Sequence, residues 1–272
     1  MPFPSPSKRG CKAPADLLSK AVDPAFFRQL SSQARAAIAA EIARGLVADN
    51  KAAAGFDPVT AADRAAEQAL RALIEATFPD HGIWGEEFGL VRDDAPMRWS
   101  LDPVDGTRAL ICGLPSWAIL VGLIDDGRHI AGMIDLPTLD EMLIGHGGET
   151  RRNGQLVHTS GCAAIGAARL ATTDPNLFDP REAAAFDRVR LASRVTRFGL
   201  DALAYARVAT GDIDLVIESG LKCHDYDALV AVVRGAGGVI GNWTGGADLG
   251  GGDVVAAASQ ALYDEAVSLL AA

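Results

Sequence analysis

The chain has 272 residues, 49% of them hydrophobic and 22% charged, which suits one large core or two coupled halves and excludes a large multi-domain machine or a disordered chain. Its formal net charge is −10, and no cluster of Lys and Arg offers the basic footprint that a nucleic-acid or anionic-membrane partner needs. An acidic protein that handles a phosphate anion needs bound positive charge to offset repulsion, so a divalent metal is the first thing to look for.

Residues 1–20, with Pro2, Pro4, Pro6 and Pro14 and no continuous apolar run, read as a disordered tail and not as a signal peptide. Cys11, Cys112, Cys162 and Cys223 are scattered without a Cys-x-x-Cys pair, which argues against a disulfide framework or zinc site. Cys112 and Cys223 are taken as small apolar fillers. With no stretch near the roughly 18 apolar residues of a membrane span, the expected compartment is the cytoplasm. Phe26–Val47 has helical spacing, and Asp63–Phe78 repeats it with Ala66, Leu70, Leu73 and Ile74 on one face. Between them Lys51–Thr60 must be a loop or short extended piece, because Pro58 biases Asp57 away from helix.

From Gly82 the pattern changes to short β-prone runs at Ile83–Gly85, Trp99–Leu101, Ala118–Ile124, Ile130–Ile134 and Glu141–Ile144. The second half predicts strands at Ala168–Thr172, Val195–Phe198, Asp214–Glu218 and Val254–Ala258. Helices are predicted at Asp201–Thr210, Asp225–Ala236 and Gln260–Leu270. Alternating strand and helix imply an α/β layer. A boundary near residues 148–155 would divide an α+β half, 21–150, from an α/β half, 151–272.

Chemistry concentrates in three acidic turns. In Trp99–Thr107 an apolar strand ends at Asp102, Pro103 fixes a turn, and Asp105 follows with Gly106 allowing close backbone approach. If Thr107 opens a helix, the N–H groups of Gly106 and Thr107 face whatever sits in front, a ready phosphate site. Carboxylates beside such a pocket suit Mg²⁺. Gly85-Glu86-Glu87 ends another β-prone run, and His224-Asp225-Tyr226-Asp227 opens a helix after an apolar strand. Each alone also fits a plain role as a turn, a solvated face or an N-cap.

Together the three turns resemble the inositol monophosphatase family of lithium-sensitive, Mg²⁺-dependent phosphatases, over nearly all of the chain after about residue 25. The first family signature is similar to Trp84–Glu87 followed by Trp99–Thr107, the second to Gly220–Gly238, and an earlier element to Lys51, Asp57, Val59, Thr60 and Asp63. The resemblance implies a layered α/β sugar-phosphatase fold of the inositol monophosphatase/fructose bisphosphatase type, with αβαβα layers and a homodimeric assembly. It implies that Glu86, Asp102 and the Val104 carbonyl hold one Mg²⁺, that Asp102, Asp105 and Asp225 hold a second, and that Glu86 serves a weaker third. Thr107 with Asp63 would orient and deprotonate the attacking water, and paired cations would stabilise an in-line displacement.

The stretch Arg108–Pro115 departs from inositol-specific members and resembles the histidinol-phosphatase branch, as do Phe88-Gly89, Leu221-Lys222, Asp225-Tyr226 and Gly235–Ile240. Arg108, Asp201 and Glu218 are therefore candidate substrate contacts, Glu218 standing where the family's substrate-contacting Glu is found. Two carboxylates near the leaving group suit a cation such as histidinol phosphate carries. Asp201 could instead cap the helix that it precedes. His224 departs from the Trp or Tyr usual in relatives and is assigned to packing, while His81, His129, His146 and His158 need no functional reading. The alternatives are an inositol-1-phosphate or broad sugar-alcohol phosphatase and a non-catalytic regulatory module, the last requiring a damaged metal set.

Overall fold

The computed structural model describes residues 23–50 and 58–272. The expected tail, Cys11, Lys51 and Asp57 lie outside the described residues. Helix α1 (Pro24–Arg44) starts where the Asp23 side chain accepts from the Ala25 amide at 2.8 Å, and it stops at Gly45, whose φ of 94° an L side chain resists. It therefore ends short of the predicted Val47. Strand β1 (Ala48–Asn50) follows and pairs antiparallel with β2 (Pro58–Thr60), the extended part of the predicted loop. Helix α2 (Ala61–Thr77) buries Ala62, Ala66, Leu70 and Ile74 on one face.

Eight strands then build the first sheet: β3 (Gly82–Gly85), β4 (Gly89–Val91), β5 (Met97–Asp105), β6 (Ala118–Asp125), β7 (Arg128–Leu136), β8 (Glu141–His146), β9 (Glu149–Arg152) and β10 (Gln155–Leu156). Their order is β10-β9-β8-β7-β6-β5-β3-β4, antiparallel except for the β3–β5 pair. One turn of helix, α3 (Thr107–Ile111), follows β5.

The rest alternates: β11 (Arg169–Thr172), α4 (Pro180–Ala192), β12 (Val195–Phe198), α5 (Ala202–Ala209), β13 (Leu215–Glu218), α6 (Cys223–Gly235), β14 (Val239–Gly241), β15 (Val254–Ala257) and α7 (Gln260–Ala271). The second sheet runs β12-β11-β13-β15-β14, parallel through β13 and antiparallel beyond. Three buried clusters separate five layers. The first lies between α1/α2 and the large sheet, the second around α5 and α6 between the sheets, and the third beneath α4 and α7. This is the expected αβαβα arrangement.

Helix α6 reaches its place because three glycines in adjacent strands, Gly122, Gly132 and Gly145, stand in register across β6, β7 and β8. A Cβ on Gly132 would lie 2.1 Å from the Ala228 carbonyl oxygen, and one on Gly145 would lie 2.5 Å from that of Ala231. The helix backbone thus rests directly on the sheet, and its first turn is carried toward the end of β5. Gly132→Ala should cost about 3 kcal/mol or more by overpacking, a fall of roughly 6–12 °C in a chain of this size. Thermal unfolding that leaves the melting temperature unchanged would mean that α6 can lift off without penalty.

Candidate active site

Both aspartates of the central turn sit at the end of β5. Asp102 is opposite Leu120 and Asp105 opposite Ala118, with a register shift between them where Pro103 and Val104 bulge out. Asp102 is buried and its Oδ1 accepts from the Val104 amide at 3.0 Å. Gly106 adopts the left-handed conformation (φ 82°) that turns the chain into α3. The Thr107 hydroxyl then lies 3.0 Å from Asp63 Oδ1 and 3.1 Å from the Val104 carbonyl oxygen. Asp63 is fully buried in the first turn of α2, where its Oδ2 accepts from the Thr60 amide at 2.9 Å and the Thr60 hydroxyl at 2.5 Å. Its other oxygen is thereby aimed at Thr107.

Asp225 comes from the first turn of α6, with Oδ2 accepting from the Lys222 amide at 2.7 Å. Asp102, Asp105 and Asp225 each bring a carboxylate oxygen within 4.8 Å of the others. Glu86 stands in the turn after β3, its amide donating to the Leu101 carbonyl at 3.1 Å. That turn is fixed from below by Glu67 of α2, fully buried, which accepts from the amides of Glu87 at 2.7 Å and Phe88 at 3.2 Å and from Arg71 Nε at 2.7 Å. A Cβ at Gly85 would collide with Glu67. Sequence reasoning missed Glu67, although its place three residues before Leu70 and seven before Ile74 sets an acid on the buried stripe of α2, with Arg71 as partner one helical turn on.

Burial pushes the carboxyls of Asp102 and Asp105 well above the usual carboxylate range, and their neighbours add to it, Glu86 first for Asp102 and Asp201 first for Asp105. Burial also raises Asp63 and Asp225. Like charges this close disfavour joint ionisation unless a cation sits among them. The donor set, all oxygen and mostly carboxylate, fits a hard divalent cation.

Asp201 does not cap α5. Its side chain makes no cap bond, its backbone is held at φ 48°, and the Ala202 amide donates to Asp105 Oδ2 at 2.6 Å in its place. The freed carboxylate packs over Gly106, where a Cβ would lie 2.9 Å from Asp201 Oδ2. Burial brings the Asp201 carboxyl up to about 6 while Arg108 pulls it down. Arg108 itself is more than half exposed, 3.8 Å from Asp174. Glu218, at the end of β13, accepts from the Thr173 amide at 2.7 Å and the hydroxyls of Thr173 at 2.9 Å and Thr172 at 3.1 Å. Burial still raises it to about 7. Asp201, Glu218, Asp105 and Asp225 line one small cavity with Thr173 and Tyr205, a residue not singled out in the sequence. His224 is buried with Nδ1 unbonded among the described residues. Cys112 is exposed, so it is not the filler expected, whereas Cys223 is half-buried.

Residues 22–272 match the profile of the inositol monophosphatase family. The chain is 45% identical over 193 residues to the "Bifunctional phosphatase IMPL2, chloroplastic" of Arabidopsis thaliana, a match covering 70% of this chain and 56% of that protein. It is 31% identical to a histidinol-phosphatase of Chlorobaculum parvum, over 75% of this chain and 80% of that one. A solved inositol monophosphatase from Zymomonas mobilis superposes with a TM-score of 0.84 at 38% identity, covering 96% of this chain and all of that one (100%).

Proposed function

Because the chain belongs to the inositol monophosphatase family, we propose that this metal-dependent phosphatase hydrolyses a phosphate monoester with a cationic leaving alcohol, histidinol phosphate, in the cytoplasm and as a homodimer. The observation that carries the reading is Asp201, whose carboxylate is relieved of capping by Asp105 and turned toward Gly106. Glu218 adds a second carboxylate in the same cavity. A primary ammonium or a protonated imidazole would form hydrogen bonds there in which donor and acceptor are both charged, whereas a neutral polyol brings no positive charge to offset the carboxylates. An inositol-phosphate phosphatase is the second reading, favoured by the 38% identity to the Zymomonas inositol monophosphatase.

Glu86, Asp102 and the Val104 carbonyl would hold one Mg²⁺, and Asp102, Asp105 and Asp225 a second, with a third weaker ion at Glu86. The Val104 oxygen has a second lone pair beside the one facing Thr107. When bound, the ions supply charge stabilisation of the attacking and leaving oxygens. Thr107 and Asp63 act on the proton: the water donates to Thr107 Oγ1 as the Thr107 hydroxyl donates to Asp63 Oδ1. The N–H groups of Gly106 and Thr107 orient the phosphate, and Arg108 stands at the rim. The bond from water to phosphorus forms as the ester bond breaks, and no covalent phosphoenzyme is needed.

Asp201→Asn keeps a residue that tolerates the left-handed backbone and removes the charge. It should lower kcat/KM for histidinol phosphate relative to inositol 1-phosphate by at least about tenfold, the size of a lost hydrogen bond to a charged group. An unchanged ratio in steady-state phosphate release would sink the cation reading and leave the phosphatase assignment intact.

A further inference from the structure

Tyr205 lies in α5 four residues after Asp201, which precedes the helix, and both line the same cavity. The residue is 2% exposed, and its hydroxyl has no hydrogen-bond partner among the described residues. A buried tyrosine hydroxyl normally has one. It lines the cavity formed by Asp105, Thr173, Asp201, Glu218 and Asp225. The free space there is about 20 Å³, enough for one water-sized group and too small for a ring. Its walls are carboxyl-rich: Glu218 Oε1 already accepts from both the amide and the hydroxyl of Thr173, whereas Oε2 accepts only from the Thr172 hydroxyl and keeps a second lone pair. The group that fits this size and charge is an ammonium, with three donors and no acceptor.

We propose that Tyr205 is a specificity-determining residue whose hydroxyl oxygen accepts a hydrogen bond from the substrate's primary ammonium, with Asp201 and Glu218 as its counter-charges. The heteroaromatic ring of the leaving group then stays outside this subsite. Burial, reinforced by Glu218 and the aspartates, pushes the phenol well above its usual range and keeps it a neutral hydroxyl. This rests on the reading of a cationic leaving alcohol given above.

Wild type and Tyr205→Phe, both full chains with Mg²⁺, are compared on histidinol phosphate, its desamino analogue and p-nitrophenyl phosphate. Phe keeps the ring packing. KM for histidinol phosphate should rise about tenfold, as for a lost hydrogen bond to a charged group, with less than a twofold change for the other two esters. The melting temperature of the variant without substrate should not fall, since the lost hydroxyl has no partner to leave behind. Equal losses on all three esters, or none on histidinol phosphate, would overturn the assignment. If the wild type fails to distinguish histidinol phosphate from its desamino analogue, the ammonium subsite falls, while the reading of a cationic leaving group then rests on the imidazole and is decided separately by Asp201→Asn. If the wild type distinguishes them and Tyr205→Phe does so equally well, only the role of Tyr205 falls.

Discussion

Asp105→Asn should lower Mg²⁺-dependent phosphate release by about 10²–10³-fold while the protein stays folded. The substitution is isosteric, and the amide oxygen can still accept from the Ala202 amide that Asp105 Oδ2 holds at 2.6 Å, so the start of α5 keeps its partner. What is lost is one negative charge from a trio whose oxygens lie within 4.8 Å of each other. A cation held there contributes several kcal/mol to transition-state charge stabilisation, and each 1.36 kcal/mol is tenfold in rate. A second readout separates this from misfolding. In chelator the variant should melt at or above the wild-type temperature, because one of several mutually repelling buried carboxylates is gone. Added Mg²⁺ should then raise its melting temperature less than it raises that of the wild type. Unchanged turnover would show that the acidic cluster is not the seat of the chemistry and would revive the reading as a non-catalytic module.

The site's frame could be read locally, because its punctuation is local. Asp102-Pro103-Val104-Asp105-Gly106 announces a break in five residues, although the strand runs on through a bulge to Asp105 and does not end at Asp102, and Asp225 follows a short apolar strand at a helix start. The parts that were missed depend on convergence from afar. Glu67 is spaced with Asp63, Leu70 and Ile74 on the buried stripe of α2, but only the approach of Gly85 and the amides of Glu87 and Phe88 shows what it holds. Tyr205 sits in an alanine-rich helix, where one aromatic residue reads as core. Helix α4 went unread although Asp179, Pro180 and Glu182 carry a capping box, since its alanine and arginine run has little apolar periodicity. Sequence order also groups α6 with the second half, whereas the glycines of β6, β7 and β8 seat it on the first sheet. A glycine's absent side chain gives no pattern until its neighbour across the gap is known.

Stripping divalent cations should make the protein less stable as pH rises from about 5 to 8. The usual carboxylate value is 4.5 for Glu218 and 3.8 for Asp201, and burial brings them to about 7 and about 6, with Asp102 and Asp105 raised as well. The folded chain therefore holds protons that the unfolded chain has released. Stability from a raised carboxyl is complete below its unfolded value and is lost as pH climbs through its folded value. For Glu218, at about 1.4 kcal/mol for each pH unit between 4.5 and about 7, the loss is on the order of 3 kcal/mol, or roughly 6–12 °C of melting temperature. Mg²⁺ should remove the share due to Asp102 and Asp105, whose charges it offsets, and leave that of Glu218, which stands apart from the trio. Melting curves at pH 5, 6, 7 and 8 with chelator, with Mg²⁺, and for Glu218→Gln resolve the two shares: the cation should flatten part of the slope and the variant another part. A melting temperature in chelator that climbs steadily across this range would mean that these carboxylates ionise at their ordinary values, and the case for a cation-demanding cluster would fail with it.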